Sequence, residues 1–229
     1  MSIRPLVSLM LMSYNKSQWL AEGIESALRQ EYEPKEVVVI DNHSTENNRE
    51  IAEKHGVRFV DTGSNTGCVG LIERAIVEAK GDYIMCFSHE DPLMNGIISK
   101  QMALFEANPC LEVVGSWYSH ITSDGTYVYT FETKWDMEAI KDYCCMSGCF
   151  IGKRSLYDKV KWRDVEVDTI KAYQDWDLWL QCAEKSIKGA VVTEVGFKYR
   201  NHPSNTQKAL NIHNEFKAKL REMNMGAYC

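Results

Sequence analysis

Val7-Ser8-Leu9-Met10-Leu11-Met12-Ser13-Tyr14-Asn15 is the stretch that decides how this 229-residue chain is read. The run from Leu6 to Met12 is apolar but for Ser8 and lacks the in–out alternation of a half-exposed strand, which suits a strand buried on both faces of a sheet. It stops at three polar residues. Asn15 then stands three residues before Gln18, the spacing of a capping box, and Leu20, Ile24, Ala27 and Leu28 mark one face of a helix. A buried strand feeding a helix through a polar turn is the unit from which parallel α/β sheets are built.

The same unit repeats outward. Val37-Val38-Val39-Ile40 is a β-branched strand ending at Asp41, and Ser44 and Thr45 can cap a helix through Lys54, which Gly56 closes. Val57 to Val60 is a short strand. Val69, Ile72, Ile76 and Ala79 line a helix closed by Gly81, and Tyr83 to Phe87 is a strand running into Ser88-His89-Glu90-Asp91. After Pro109 the character changes. Leu111 to Trp117 reads as a strand, Asp124-Gly125 as a hairpin turn, and Ser147 to Gly152 as a short strand. Trp176, Trp179, Leu180 and Ala183 share a helical face, and Ala190 to Val195 is a last strand. The fold expected is α/β, a mixed, mostly parallel central sheet flanked by helices, with a small antiparallel hairpin. Residues 1–110 and 111–229 form two halves of one unit, because no linker, repeat or low-complexity tract divides them.

Composition excludes several classes. With 26 Lys and Arg against 32 Asp and Glu the net charge is −6, which argues against a protein whose main work is gripping nucleic-acid phosphates. A 45% hydrophobic, 25% charged chain is neither disordered nor fibrous. The eight cysteines form no CxxC pair and no zinc-site spacing, and Cys86, Cys149 and Cys182 sit in apolar runs as small hydrophobes. The N-terminal run lacks a small-residue cleavage site, and no stretch approaches the roughly 18–20 apolar residues that span a bilayer. A reduced, cytoplasmic protein is expected, with attachment to a membrane surface left open. No GxGxxG follows the first strand and no GxxxxGK[ST] exists, so nicotinamide and P-loop readings fall away.

In an open α/β sheet, ligands bind beyond the carboxyl ends of the strands where the strand order reverses. Ser13-Tyr14-Asn15, Asp41-Asn42-His43-Ser44 and Ser88-His89-Glu90-Asp91 all fall at such ends. Each alone is ordinary turn and cap chemistry, since Asn, Asp and Ser satisfy helix N-termini. All three at successive strand ends point to a site.

With these residues in place, the chain resembles the family 2 glycosyltransferases of GT-A fold. The opening run is similar to the family's first strand. Gln30 to Thr45, Asn65-Thr66-Gly67, Gly81 to Phe87, Ser147 to Arg154, Gln174-Asp175-Trp176-Asp177-Leu178-Trp179-Leu180 and Tyr199-Arg200-Asn201-His202-Pro203 follow in the family's order. The resemblance implies a GT-A-like sheet. It also implies transfer of a sugar, with inversion, from a nucleotide-diphosphate donor (a UDP- or dTDP-sugar) to a hydroxyl of a glycan acceptor. Mn²⁺ or Mg²⁺ would stabilise the leaving diphosphate and a carboxylate would act as base.

By the same resemblance, Asp41 holds the nucleobase, Ser13, Tyr14 and Asn15 form the other wall of its slot, and Asn65 and Ser88 add nucleotide contacts. The family commonly reads Asp-x-Asp-Asp where this chain reads Ser88-His89-Glu90-Asp91. Glu90 therefore takes the metal-ligand position, with His202 as a second ligand, and Ser88 replaces a carboxylate. Asp91 is assigned to the acceptor, and His89 is read as incidental. Asp175 matches the catalytic base at the start of a helix, while Asp177 reads as structural. Among the aromatic residues, Trp117, Tyr118 and Trp135 are candidates for stacking on sugar faces.

Ser88, and Gln174 where the family usually has Glu, motivate an alternative: a non-catalytic or metal-independent GT-A relative that binds a nucleotide sugar or glycan. The chain lacks the Gln-x-x-Arg-Trp pattern of processive synthases, so one sugar per encounter is expected. A nucleotidyltransferase is disfavoured by the missing phosphate loop after the first strand. Leu210, Phe216, Leu220 and Met223 give the tail from Gln207 helical spacing. It reads as an amphipathic helix packed on the domain, with a homodimer contact or a membrane surface as the alternatives.

Overall fold

Burial on both sides accounts for the unalternating run at the start of the chain. In the computed structural model, which describes residues 4–203, 205 and 213–228, Val7–Ser13 (β1) is the central strand of an eight-stranded sheet. Val7, Leu9 and Leu11 pack to one side of it against Ser17–Leu28 (α1), and Met10 packs to the other against Gly67–Glu78 (α3).

Lys35–Asp41 (β2) and Tyr83–Ser88 (β4) flank β1, both parallel to it, and Arg58–Asp61 (β3) extends the sheet beyond β2. Asn48–Lys54 (α2) links β2 to β3. The second half supplies Ile97–Ala107 (α4), Val113–Ile121 (β5), Tyr127–Phe131 (β6), Ile151–Lys153 (β7), Leu156–Lys159 (α5), Glu166–Val167 (β8) and Ile170–Lys171 (β9). Gln174–Glu184 (α6), Gly189–Arg200 (β10) and His213–Met223 (α7) complete it. The strand order is β10-β5-β7-β4-β1-β2-β3, with β6 hairpinned onto β5 and β8–β9 forming a separate ribbon. β10 runs parallel to β5, whereas β7 is antiparallel to both β4 and β5. The chain winds from β1 outward to β3, then crosses back to β4, so the order reverses between β1 and β4. The register brings the strand ends level, Ser13 beside Asp41 and Met12 beside Ser88.

Several local expectations change. Asn15 does not cap α1: it has φ 50° and its side-chain oxygen accepts from the Thr45 amide. The first amides of α1 are instead satisfied from another loop, with Lys16 N and Ser17 N donating to the Glu46 carboxylate at 3.0 and 2.7 Å. Ser44 and Thr45 are spent in the same way, so α2 starts later, at Asn48. Leu28, expected on the apolar face of α1, is exposed. The strand expected over Ser147–Gly152 shrinks to β7, leaving Ser147 and Gly148 free of the sheet. The final strand does not stop at Val195; it continues through two register shifts to Arg200. The hairpin turn stands at Asp124-Gly125, where Gly125 takes φ +90°, a conformation that L side chains rarely adopt.

Of the tail, Gln207 to Ile212 lies outside the described residues, including Leu210. Phe216 and Leu220 of α7 are fully buried against the same core as α6, so the described part of this helix packs on the domain.

Candidate active site

The β1 and β2 ends form one hydrogen-bonded knot. Asp41 is 2% exposed; its carboxylate accepts from Ser44 N and Ser44 Oγ, both at 2.7 Å, and from Asn48 Nδ2 at 3.0 Å. Asn48 Nδ2 also donates to Ser13 Oγ at 2.8 Å, and Asn15 N donates to Ser44 Oγ at 2.7 Å. Ser13 and Asp41 are therefore buried framework at the strand ends, while Tyr14 and Asn65 are exposed beside them. Asn65 Oδ1 accepts from Asn42 Nδ2 and from Gly67 N, tying the start of α3 to the end of β2.

Across the β1/β4 crevice stands a polar cluster. Lys16, the residue before α1, has φ 55°, in the left-handed region that non-glycine residues rarely occupy. Its ammonium lies 3.1 Å from Glu90 Oε2 and 3.4 Å from His202 Nε2, and His202 Nε2 lies 2.9 Å from the same Glu90 oxygen. Burial works to raise the pKa of Glu90, but the Lys16 ammonium and the His202 ring outweigh it and hold the carboxyl below its usual range. Trp19 backs the cluster, its ring 5.1 Å from that of His202.

Asp91 turns the other way. Its Oδ1 accepts from the Arg200 amide at 2.9 Å, and burial pushes its pKa to about 8. The Arg200 guanidinium is committed to Glu22, to the Glu90 carbonyl and to the Ser123 carbonyl. His89 is a structural clasp, 3% exposed, with Nδ1 3.0 Å from the Met12 carbonyl and Nε2 3.3 Å from that of Lys16.

This arrangement does not fit the Mn²⁺ or Mg²⁺ site expected at Glu90 and His202. A hard divalent cation wants several oxygen ligands, largely carboxylate, yet Ser88 offers a hydroxyl and Asp91 Oδ1 is taken by the Arg200 amide. Among the described residues, no group of three or more His, Cys, Asp or Glu side chains could hold a metal ion. Lys16 also fills the position beside Glu90. A divalent ion on that carboxylate would lie within about 6 Å of the ammonium and be repelled by at least roughly 5 kcal/mol at an effective dielectric of about 20.

Asp175 lies in the first turn of α6, entered through Tyr173 at φ 57°. Trp176 and Trp179 are fully buried, and Trp176 Nε1 donates to the Ile140 carbonyl at 2.6 Å, which fixes the helix start. Asp177 faces the opposite way, fully buried, accepting from Arg163 Nε and Nη2, Gln181 Nε2 and Asn224 Nδ2; it is a structural anchor. Asp175 is freer: Oδ1 accepts from the Trp176 amide, and burial raises its pKa above the ordinary carboxylate value.

Asp175, Ser88 and Asp91 line one cavity of about 570 Å³. Its walls are largely aromatic and sulfur-bearing, from Tyr118, His120, Tyr129 and Tyr199 to Met12, Cys144 and Met146. Trp117 and Trp135 are not among its lining residues. On β5, Tyr118 and His120 share the cavity face, and alternation turns Trp117 to the other. Trp135 lies over the backbone of Gly189, where a Cβ would meet its ring at 2.4 Å, and edge-on to Trp179. The sequence reading missed His120, Tyr129, Tyr173 and Tyr199 as cavity residues. Period-two alternation from Tyr118 could have found His120; the others depend on pairings between distant segments.

The sequence profile described as glycosyl transferase family 2 matches residues 8–161. Over 210 residues the chain is 25% identical to an uncharacterized glycosyltransferase of Methanocaldococcus jannaschii, spanning 86% of this chain and 71% of that protein. It is also 25% identical over 223 residues to the Escherichia coli UDP-Glc:alpha-D-GlcNAc-diphosphoundecaprenol beta-1,3-glucosyltransferase WfaP, spanning 96% and 85%. Among solved structures, S. aureus TarS 1-349 in complex with UDP-GlcNAc superposes with a TM-score of 0.75 at 17% identity, over 96% of this chain and 66% of that one. That likeness establishes the fold. No helix among the described residues is long and apolar enough to cross a membrane.

Proposed function

This chain belongs to glycosyl transferase family 2, and from that premise we propose that it moves one sugar per encounter from a UDP- or dTDP-sugar to a hydroxyl of a glycan acceptor, with inversion. The observation that carries the reading is Asp175. Its carboxyl stands in the first turn of α6 and lines the same cavity as Ser88 and Asp91, at the end of β4 where the strand order reverses. Relatives named as glycosyltransferases support the activity, and the UDP-Glc in the name of WfaP supports a uridine nucleotide.

In this reading the nucleotide lies over the Ser13–Asp41–Asn48 knot, with Tyr14 and Asn65 at its edge. The acceptor enters along the aromatic wall of Tyr118, His120, Tyr129 and Tyr199, whose ring faces suit the apolar faces of sugars. Asp175 takes the acceptor hydroxyl proton as the oxygen attacks the anomeric carbon from the side opposite the leaving diphosphate. Burial suits it to this role, because a raised pKa makes the carboxylate a better base. Asp91, protonated at neutral pH, donates a hydrogen bond into the cavity and orients a sugar hydroxyl.

Asp175→Asn tests the reading. Transfer should fall by about 10²–10⁴-fold while UDP affinity stays within about threefold. The acid limb of kcat/KM for the wild type should lie above the ordinary carboxylate range, and a folded variant with near-wild-type transfer would refute the assignment.

A further inference from the structure

We propose that Lys16 supplies the positive charge that meets the donor diphosphate, in the position where this fold would otherwise place a divalent cation. The inference rests on the glycosyl-transfer reading above and extends it to the leaving group. Three observations carry it.

The first is geometric. Lys16 lies between the end of β1 and the start of α1, on the reversal crevice, and its ammonium is steered inward by Glu90 at 3.1 Å and His202 at 3.4 Å. The second is chemical. The side chains that would ligate a metal are Ser88, Glu90 and Asp91. Ser88 is an uncharged hydroxyl, Glu90 is paired with Lys16, Asp91 Oδ1 is taken by the Arg200 amide, and among the described residues no group of three or more His, Cys, Asp or Glu side chains could hold a metal ion. Glu90 alone suffices to hold one ammonium. The third is that, among the described residues, two neighbouring cationic elements are already engaged. The N-terminal amides of α1, which could themselves cradle a phosphate, are filled by the Glu46 carboxylate, and the Arg200 guanidinium is bound to Glu22 and two carbonyls.

The left-handed backbone at Lys16 and at Asn15 fits this role, since it turns the chain sharply between strand and helix at the point where the side chain must reach the crevice. In the transfer step the anomeric C–O bond breaks with its electron pair on the diphosphate. The acceptor oxygen bonds to the anomeric carbon and Asp175 takes the acceptor proton. The diphosphate gains one negative charge, and the Lys16 ammonium meets it by a charge-assisted hydrogen bond without giving up a proton. Glu90 and His202 position Lys16 and do not themselves touch the donor.

The test is calorimetric titration of the full chain with UDP and with uridine, in EDTA and in millimolar Mn²⁺. For the wild type, UDP affinity should agree within about twofold between the two conditions, and UDP should bind at least about tenfold more tightly than uridine. Lys16→Asn removes the charge with the side chain that left-handed backbone tolerates best, which guards against misfolding. It should weaken UDP by at least about tenfold in EDTA and leave uridine unchanged, and Lys16→Arg should recover most of the loss. UDP binding that appears only with Mn²⁺ would overturn the proposal, as would a Lys16→Asn protein that binds UDP like the wild type. If neither UDP nor uridine binds in either condition, the glycosyl-transfer reading fails and this inference falls with it.

Discussion

Asp91 combines a buried carboxyl, a single backbone amide donor and a nearby like charge on Glu90, and burial dominates, raising its pKa to about 8. Between pH 4 and 8 the folded state keeps a proton that the unfolded chain has released. Its contribution to stability is complete below the unfolded pKa and is lost as pH rises through that window, at up to about 1.4 kcal/mol per pH unit. Asp91→Asn cannot ionise, so urea midpoints at pH 5 and pH 8 should converge for the variant relative to the wild type. A wild type that instead gains stability on the variant between those pH values would contradict the assignment. At this scale the sequence made Asp41 and Asp175 visible, because each sits at the edge of an apolar pattern. It hid Lys16 and Glu46. What gives those two their roles is a partner 74 residues away for Lys16 and a helix start 29 residues away for Glu46, and no local pattern encodes either.

The helix α1 is held to the β4 loop by the absence of a side chain at Gly23. A Cβ there would lie 2.2 Å from the His89 carbonyl oxygen, a backbone atom that cannot swing aside. Gly23→Ala should gain about 1 kcal/mol of helix propensity yet lose about 1–3 kcal/mol to overpacking, so a net loss in the urea midpoint is expected, along with weaker UDP binding as Lys16 shifts. A more stable variant with unchanged binding would show that the contact relaxes at no cost. Element by element, the strands and helices of the first half were legible because their apolar runs meet the sheet on both faces. The helix α4 was not seen. Its buried face mixes Ile97, Ile98, Met102 and Phe105 with Gln101, whose amide donates to the Val114 carbonyl, and the polar residue blurs the period. The last strand was read short because the register shifts after Val192 and Val195 break its alternation, and those shifts lead to the positions of Tyr199 and Arg200.

At the scale of the molecule, the two faces of the sheet divide the work. One core joins α1, α2 and α4 beneath the β1–β2 knot; the other joins α3, α6 and α7 around the start of the helix that carries Asp175. Phe216 of α7 is fully buried in the second core, its ring 5.0 Å from Tyr173, two residues before Asp175. Phe216→Ala should cost about 3–5 kcal/mol of stability through the cavity it leaves. The loss should spread unevenly. Tyr173 and the first turn of α6 lose their support, so kcat should fall by at least about tenfold under conditions where the variant is still folded. UDP affinity should stay within about twofold, because Ser13, Asp41 and Asn48 are braced from the other face and by one another. Calorimetry with UDP beside steady-state transfer separates these effects. Equal losses in affinity and kcat would mean that the two cores act as one body, whereas a loss confined to kcat would mean that the helix bearing the base is positioned independently of the nucleotide slot.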